Sequence, residues 1–362
     1  MSEKAPSPSP EEIVLYEKDP ATKIATITLN RPGFLNAPTI AARQRYADLV
    51  HRANVDDDVK VLIIRGVGEH FGSGADLPEM AGMFNGDPNY SVLPEFGLDA
   101  EDRGDGDVKY PPQGSYRYIA QVTNLYANSN FGLRSLQDFK KISIVEAKGY
   151  CYGWHFYQAA DADIVIASDE TLFGHSAFRY VGWAARQWQW ATMMGLRNFM
   201  EMVFTGRPFT AQEMKDCSFV NRVVPREGLE AETMKYALAC ARNRPTDTVV
   251  MQKTFFEVFK QHQGEYMGSI ISAWLESMLG LVQEDKAGIS VGDDLFDNKL
   301  TDMVKSNDER FPPDWKLSYG ARPKGNAPSE LDQLREQLNA QSKLIEAQSE
   351  VLRELQAKLA AA

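Results

Sequence analysis

Three short runs in this chain are apolar almost without a break: VKVLIIRG at 59–66, KISIVEAKGY at 141–150 and DIVIASD at 163–169. A strand with one wet face alternates apolar and polar residues. These runs have no polar face to offer, so each reads as a strand covered on both sides. Covered strands need helical layers, and helical patterns fall between them. Residues 39–53 carry Ile40, Tyr46 and Val50 at helical spacing behind Thr39, a suitable N-cap. CYGWHFYQAADA turns into a second helix, and 183–202, FTAQEMKDCSF and 230–242 supply more. IVLYEKD and KIATITLN, separated by a turn at Asp19-Pro20, read as a hairpin. Strands alternating with helices predict an α/β domain with largely parallel sheets.

The 362 residues suit one large domain with an appendage, or two domains. Net charge is −11 with the acids spread along the chain, so the basic stripe of a nucleic-acid binder is missing. Three cysteines, Cys151, Cys217 and Cys240, show no CxxC spacing, which argues against a disulfide framework or zinc knuckle. No His/Asp/Glu cluster has ligand spacing, so no metal is expected. No apolar run approaches the roughly 20 residues of a membrane-spanning helix. The start, MSEKAPSPSPEE, lacks the basic-then-apolar order of a secretory signal. A cytoplasmic protein without a membrane partner is expected.

Organisation follows from composition. Residues 1–12, rich in Ser, Pro and Glu, read as a disordered tail, and 13–240 as the α/β core. Within it, 84–128 is a long, weakly periodic insertion bearing Tyr90, Tyr110, Tyr116, Tyr118 and Tyr126. Such a segment is a lid, a pocket wall or a subunit contact. Residues 241–312 read as a helical oligomerisation region and 313–328 as a linker. From 329 to 360, Leu331, Leu334, Leu338, Gln341, Ile345, Gln348, Leu352, Leu355 and Leu359 alternate steps of three and four. That is an a/d seam, and it predicts a coiled-coil helix that joins copies of this chain in parallel. Gln341 and Gln348 would place polar layers in it, which fix register at some cost in stability.

Two segments combine a strand, a glycine turn and a helix start: HFGSGADLPEM at 70–80 and GYCYGWHFYQAADADIVIASD at 149–169. Main-chain N–H groups at helix N-termini attract developing negative charge. Two facing each other can clamp one oxyanion, as a thioester carbonyl becoming an enolate requires.

With these pieces in order, the sequence resembles the crotonase, or enoyl-CoA hydratase/isomerase, superfamily over about residues 13–260. ATITLNRPGFLNA (25–37) looks like the family's early strand and acyl-CoA loop, and VKVLIIRGVGEHFGSGADLPEM (59–80) like the first oxyanion loop. KISIVEAKGYCYGWHFYQAADADIVIASDETLFGHSAF (141–178) is similar to the second oxyanion loop, and TGRPFTAQEMKDCSFVNRVVP (205–225) to the segment after the core. The resemblance implies a spiral of β-β-α turns with a C-terminal helical region, in trimers or dimers of trimers. It implies oxyanion donors at the N–H groups of Ala75 and Trp154. It places Phe34, Leu35, Ala37 and Ala75 along bound CoA, which enters as part of the substrate and not as a separate cofactor. Trp154 stands where the family has the middle glycine of a Gly-Gly-Gly run, and its indole must find room. Gly33 stands where a basic residue is common.

The departures are chemical. The two glutamates with which a hydratase of this family activates water fall on Tyr157 and Ala177. If residues 175–177 are extended, His175 faces the emptied slot, and an imidazole is suited to acid–base work near neutrality. His175 is therefore the expected base, with Tyr157 assisting and His155 ranked below both. Glu146, a lone carboxylate in an apolar strand, is costly unless paired and is either at a strand end near solvent or functional. Arg179 and Arg186 are candidates to pair with His175 or with a substrate carboxylate, and Asp76 reads as structural. Trp183, Trp188 and Trp190 read as walls able to shape a pocket for a ring-containing acyl group.

The expected activity is an acyl-CoA enzyme stabilising an enolate, of hydratase/lyase type on a specialised, cyclic or aromatic, acyl group. Alternatives are hydrolytic carbon–carbon cleavage of a β-diketone or cyclic β-keto thioester, with a free ketone as substrate in place of the CoA ester, and isomerisation or thioester hydrolysis. A last alternative is a non-catalytic scaffold assembled through the heptads. Truncation after Pro328 is expected to lower the mass per particle seen by light scattering. An unchanged mass and an unchanged melting temperature would remove the coiled coil from the assembly.

Overall fold

The computed structural model describes residues 8–79, 115–117, 120, 123, 135–179, 182–278, 306–319 and 322. The chain divides into two units, Met1–Arg310 and Phe311–Ala362. Most of the insertion 84–128 and the heptad segment 329–360 lie outside the described residues.

The first unit opens with helix α1 (Pro10–Ile13) and strands β1 (Val14–Asp19) and β2 (Ile24–Leu29). Here the expected tail is too long. Ser9 and Glu12 form a reciprocal capping box, and Ile13 is buried, so order begins before residue 13. Helix α2 (Ile40–Val55) follows, with Thr39 Oγ1 accepting from the Ala42 N–H at 3.2 Å as the sequence predicts. Strand β3 (Val61–Gly66) leads toward β4 (Ile142–Ala147) and β5 (Tyr150–Tyr152). The predicted single strand 141–150 breaks because Gly149 adopts φ +57°, in the left-handed region. Helix α3 (Trp154–Asp161), β6 (Ile164–Ser168) and β7 (Leu172–Gly174) come next. The helical pattern of 183–202 is two helices, α4 (Gln187–Met194) and α5 (Leu196–Thr205), divided at Gly195. Strand β8 (Phe209–Thr210), helix α6 (Ala211–Asp216), strand β9 (Arg222–Val224) and helices α7 (Leu229–Arg242), α8 (Thr246–His262) and α9 (Glu265–Ser277) complete the series.

Six strands form one sheet in the order β1-β2-β3-β4-β6-β9, antiparallel only between β1 and β2. A second sheet has the order β5-β7-β8. The unbroken apolar runs are explained by two cores. Leu62, Ile64, Val145, Ala147 and Val165 point into the larger one, while Val61, Ile63, Ile144 and Ile166 meet Leu229 and Ala237 of α7 on the other face. Two buried lysines at strand starts close helix ends. Lys60 Nζ donates to the Ala241 carbonyl at 2.8 Å beneath α7, and Lys141 Nζ to the Ala53 carbonyl at 3.0 Å beneath α2. Ammonium groups there offset the negative end of each helix.

Arg186 ties α3 to α4. Its guanidinium donates to both carboxylate oxygens of Asp161, at 2.5 and 3.0 Å, with Glu265 of α9 at 3.9 Å. Burial raises the Asp161 pKa and the arginine opposes it. Arg179 is likewise engaged, donating to Asp308 at 2.6 Å and to the Gly206 carbonyl at 2.9 Å. Within the second unit, Pro313–Trp315 forms a 3-10 turn where linker was expected, and Arg322 donates to the Asp314 carbonyl.

Arg186→Met strands the Asp161 carboxylate in the core and should cost about 3–5 kcal/mol in urea unfolding. Adding Asp161→Leu should recover most of that loss. A single variant within 1 kcal/mol of the parent would show that the pair does not hold the two helices.

Candidate active site

The two glycine turns meet through their backbones. Gly72 and Cys151 form a parallel β-bridge, with the Gly72 N–H donating to the Tyr150 carbonyl at 2.7 Å and the Tyr152 N–H to the Gly72 carbonyl at 2.9 Å. Beyond the bridge both chains turn at glycines in the left-handed half of conformational space, Gly74 at φ +110° and Gly153 at φ +55°. A Cβ on Gly153 would lie 3.0 Å from Gly74 Cα, so the close approach needs glycine. Immediately after these turns stand Ala75 and Trp154. Trp154 opens α3, and a first-turn N–H has no acceptor within its own helix. Asp76, next to Ala75, accepts the Glu79 N–H at 3.0 Å and pairs with Arg31, the structural role the sequence suggests.

His155 holds the two turns together. Its Nδ1 accepts the Gly74 N–H at 3.2 Å, and its ring fills the space over Gly72, where a Cβ would sit 2.0 Å from Nε2. The sequence ranked this residue low because it shares no helix face with Tyr157. The missed signal was its place two residues after a glycine hinge, opposite a second glycine loop. The Trp154 indole does not narrow the site; it is buried in the core, edge-on to Tyr46 at 4.9 Å.

The loop expected to meet acyl-CoA lies against the first turn. The Ser73 N–H donates to the Leu35 carbonyl at 3.0 Å, and Asn36 binds the carbonyls of Val67 and His70 through Nδ2. Phe34 and Leu35 are exposed. Ala37 is buried and its carbonyl is taken by Arg31 at 3.0 Å, so it shapes the loop from beneath and offers no surface.

His175 is brought to the second turn by the sheet. The Gly153 N–H donates to the Gly174 carbonyl at 3.0 Å, and His175 Nε2 lies 4.0 Å from where a Gly153 Cβ would stand. The expected extended stretch is absent, because Ser176–Arg179 is a 3-10 helix. Its tight turn aims the Ala177 N–H at His175 Nδ1, 3.3 Å away. Nδ1 is therefore an acceptor and the ring proton sits on Nε2. Tyr157, Phe178 and Trp190 wall the imidazole, with ring centres 5.9, 5.4 and 5.6 Å away.

Tyr157 is buried and lies flat on Trp190, 4.5 Å between centres. Its pKa is well above the ordinary value, first through burial, then through the charge of Glu276, against the amides of Arg186 and Ala185 and the Arg186 charge. Glu276 on α9 was overlooked in the sequence. The usable signal was its isolation as the one charged residue between Tyr266 and Val282. Its Oε2 is shut from solvent, with no hydrogen-bond partner among the described residues, and burial raises its pKa to about 7.

Other candidates fall elsewhere. Glu146 faces Thr233 of α7 across the sheet, away from the turns, with its pKa raised chiefly by burial. Arg179 and Arg186 hold acids of this chain. The tryptophans separate: Trp190 lies in the core, Trp188 packs on Gly264 and Gly268, and Trp183 Nε1 donates to the Ser272 carbonyl at 3.0 Å. The last two fasten α9 to α4 and to the residues before it.

Residues 19–95 and 113–270 match the family model described as enoyl-CoA hydratase/isomerase, and the chain belongs to that family. It is 26% identical over 301 residues to the mevalonyl-coenzyme A hydratase of Aspergillus fumigatus, covering 83% of this chain and 93% of that protein. It is 25% identical over 234 residues to the enzyme of that name from Beauveria bassiana, covering 64% and 74%. The fold is shared with an enoyl-CoA hydratase/isomerase from Xanthobacter autotrophicus Py2, at TM-score 0.63, 22% identity and coverage of 83% and 98%. A Mycobacterium smegmatis enoyl-CoA hydratase aligns at TM-score 0.63 and 24% identity, covering 82% and 93%. No helix among the described residues is long and apolar enough to cross a membrane.

Burial holds both histidines neutral, His155 at about 3, against the pull of the Asn36 and Tyr152 carbonyls, and His175 at about 4. An unfolded chain takes up these protons near pH 6.5, the folded chain only near pH 3–4. Between those values the unfolded state binds more protons, so stability falls as pH drops. The urea midpoint should decline from pH 6.5 to 4.5, and less so in His175→Gln. An equal decline in both proteins would show that the imidazole is already charged when folded.

Proposed function

We propose that the chain is an acyl-CoA enzyme of hydratase/lyase type whose oxyanion hole is the pair of N–H groups on Ala75 and Trp154. The observation that carries this reading is the backbone bridge between Gly72 and Cys151, followed on both chains by left-handed glycines. On this reading the two following amides face one thioester oxygen, whose developing charge is stabilised by fixed dipoles. The relatives named mevalonyl-coenzyme A hydratase support hydration or dehydration over a purely structural role.

CoA enters with the substrate, its nucleotide along Phe34 and Leu35, and the acyl chain runs inward past Ala75. The aromatic wall of Tyr157, Phe178 and Trp190 favours an acyl group with a ring or other bulk. His175 donates from Nε2–H toward the reacting atoms beside Gly153, and Tyr157 closes the wall. A neutral imidazole that titrates near 4 is a weak base, so donation suits it better than proton abstraction.

For the assembly we propose self-association through α8 and α9. Met251, Phe255 and Phe259 recur every fourth residue of α8 and are 71%, 65% and 53% exposed, beside exposed Met267 and Ile271 on α9. Apolar surface of this kind marks an interface, and a trimer or hexamer of this chain would cover it.

Crotonyl-CoA and a cyclic enoyl-CoA should each raise the melting temperature, the cyclic ester more, and the enoyl absorbance should decay with turnover. His175→Ala should lower kcat about 10²–10⁴-fold with little change in binding. Absence of any thermal shift, or an undiminished kcat in the variant, would sink the oxyanion reading or the His175 role respectively.

A further inference from the structure

The hydratase positions hold Tyr157 and Ala177, and His175 is a neutral donor, which leaves these turns without an anion to accept a proton. One carboxylate lies on α9, the helix packed along α4, whose Trp190 walls the His175 imidazole. Glu276 lies one helical turn beyond Ser272, whose carbonyl accepts Trp183 Nε1–H at 3.0 Å. The helix that carries it is fixed at three further points. Gly268 lies under the Trp188 ring, where a Cβ would come within 2.0 Å, Glu265 approaches Arg186 at 3.9 Å, and Trp274 meets Tyr116 at 5.2 Å. Glu276 Oε2 is sealed from solvent and makes no hydrogen bond among the described residues, while its charge acts on the Tyr157 hydroxyl. An acid so placed is costly to keep unless the site uses it.

We propose that Glu276, carried by α9, is the general acid–base of this site and stands in for both carboxylates absent from positions 157 and 177. This assignment rests on the enoyl-thioester reading above. In hydration, the Glu276 carboxylate takes a proton from water as the water oxygen bonds to the β-carbon. The alkene electron pair moves to the thioester oxygen, held by the amides of Ala75 and Trp154. The enolate then reforms the carbonyl while its α-carbon takes the proton from Glu276, which returns to a carboxylate. Dehydration is the reverse.

Burial brings the Glu276 titration to about 7, the range that suits a group that must both take and give a proton. Tyr157 is the ionisable group that feels its charge, and Arg186, paired with Asp161, acts on the same hydroxyl with opposite sign. Helix α4, packed along α9, carries no ionisable side chain, and Glu265 on α9 itself is bound to Ser269 at 2.9 Å.

The test compares wild type, Glu276→Gln and Glu276→Asp in three readouts. These are thermal shift with crotonyl-CoA, the pH profile of crotonyl-CoA hydration, and exchange of the α-protons of butyryl-CoA in D₂O by NMR. Wild type should lose kcat/KM below an apparent pKa near 7. Glu276→Gln should bind with a similar thermal shift, lose hydration and exchange about 10²–10⁴-fold, and melt at least as high as wild type at pH 8, where a buried charge has been removed. Glu276→Asp should keep part of the activity. If Glu276→Gln misfolds, the pH profile and the aspartate variant still decide. Activity in Glu276→Gln with an unchanged pH profile overturns the assignment and leaves the enzyme reading standing. A wild type that shows neither thermal shift nor exchange overturns both.

Discussion

Everything in this fold that bears on chemistry depends on one contact, the passage of two backbones past each other at Gly72–Gly74 and Cys151–Gly153. A Cβ at Gly153 would crowd Gly74 Cα at 3.0 Å, one at Gly72 would overlap the His155 ring, and Gly74 sits at φ +110°, which side chains rarely adopt. The contact is held from both sides. Asn36 and the Leu35 carbonyl anchor the first turn to the loop after β2, while the Gly174 carbonyl anchors the second to β7. His155 fills the gap between them. The path of the two turns is therefore set by hydrogen bonds within the fold.

A second theme is the handling of buried charge. Paired acids and bases are structural here: Asp161 with Arg186, Asp76 with Arg31, Asp308 with Arg179. Each satisfies a charge that would be costly alone. Burial acts on paired and lone groups alike: it raises the Asp161 pKa against its arginine, keeps His155 and His175 neutral and Tyr157 protonated, and draws Glu276 toward neutrality.

The order of strands and helices was legible in the sequence because both signals are local. Apolar runs bounded by Gly and Pro mark covered strands, and Thr39 caps the helix it precedes. Boundaries failed where one residue overrode the pattern. Gly149 splits a strand, Gly195 splits a helix, and a capping box orders residues before Ile13. The 3-10 turn at Ser176–Arg179 was hidden because four residues carry no period of their own, so the direction of His175 could not be read.

The amino-acid order by itself determined the family and the two glycine hinges, since both are a matter of which residue stands at which place. Only the tertiary structure decided what faces what. It buried the Trp154 indole against Tyr46, turned Glu146 to the far side of the sheet, set His155 between the hinges and brought Glu276 to Tyr157 from more than a hundred residues away. The reason is physical. A side chain's charge and proton affinity depend on desolvation and on neighbours in space, and neither is encoded in its adjacent residues.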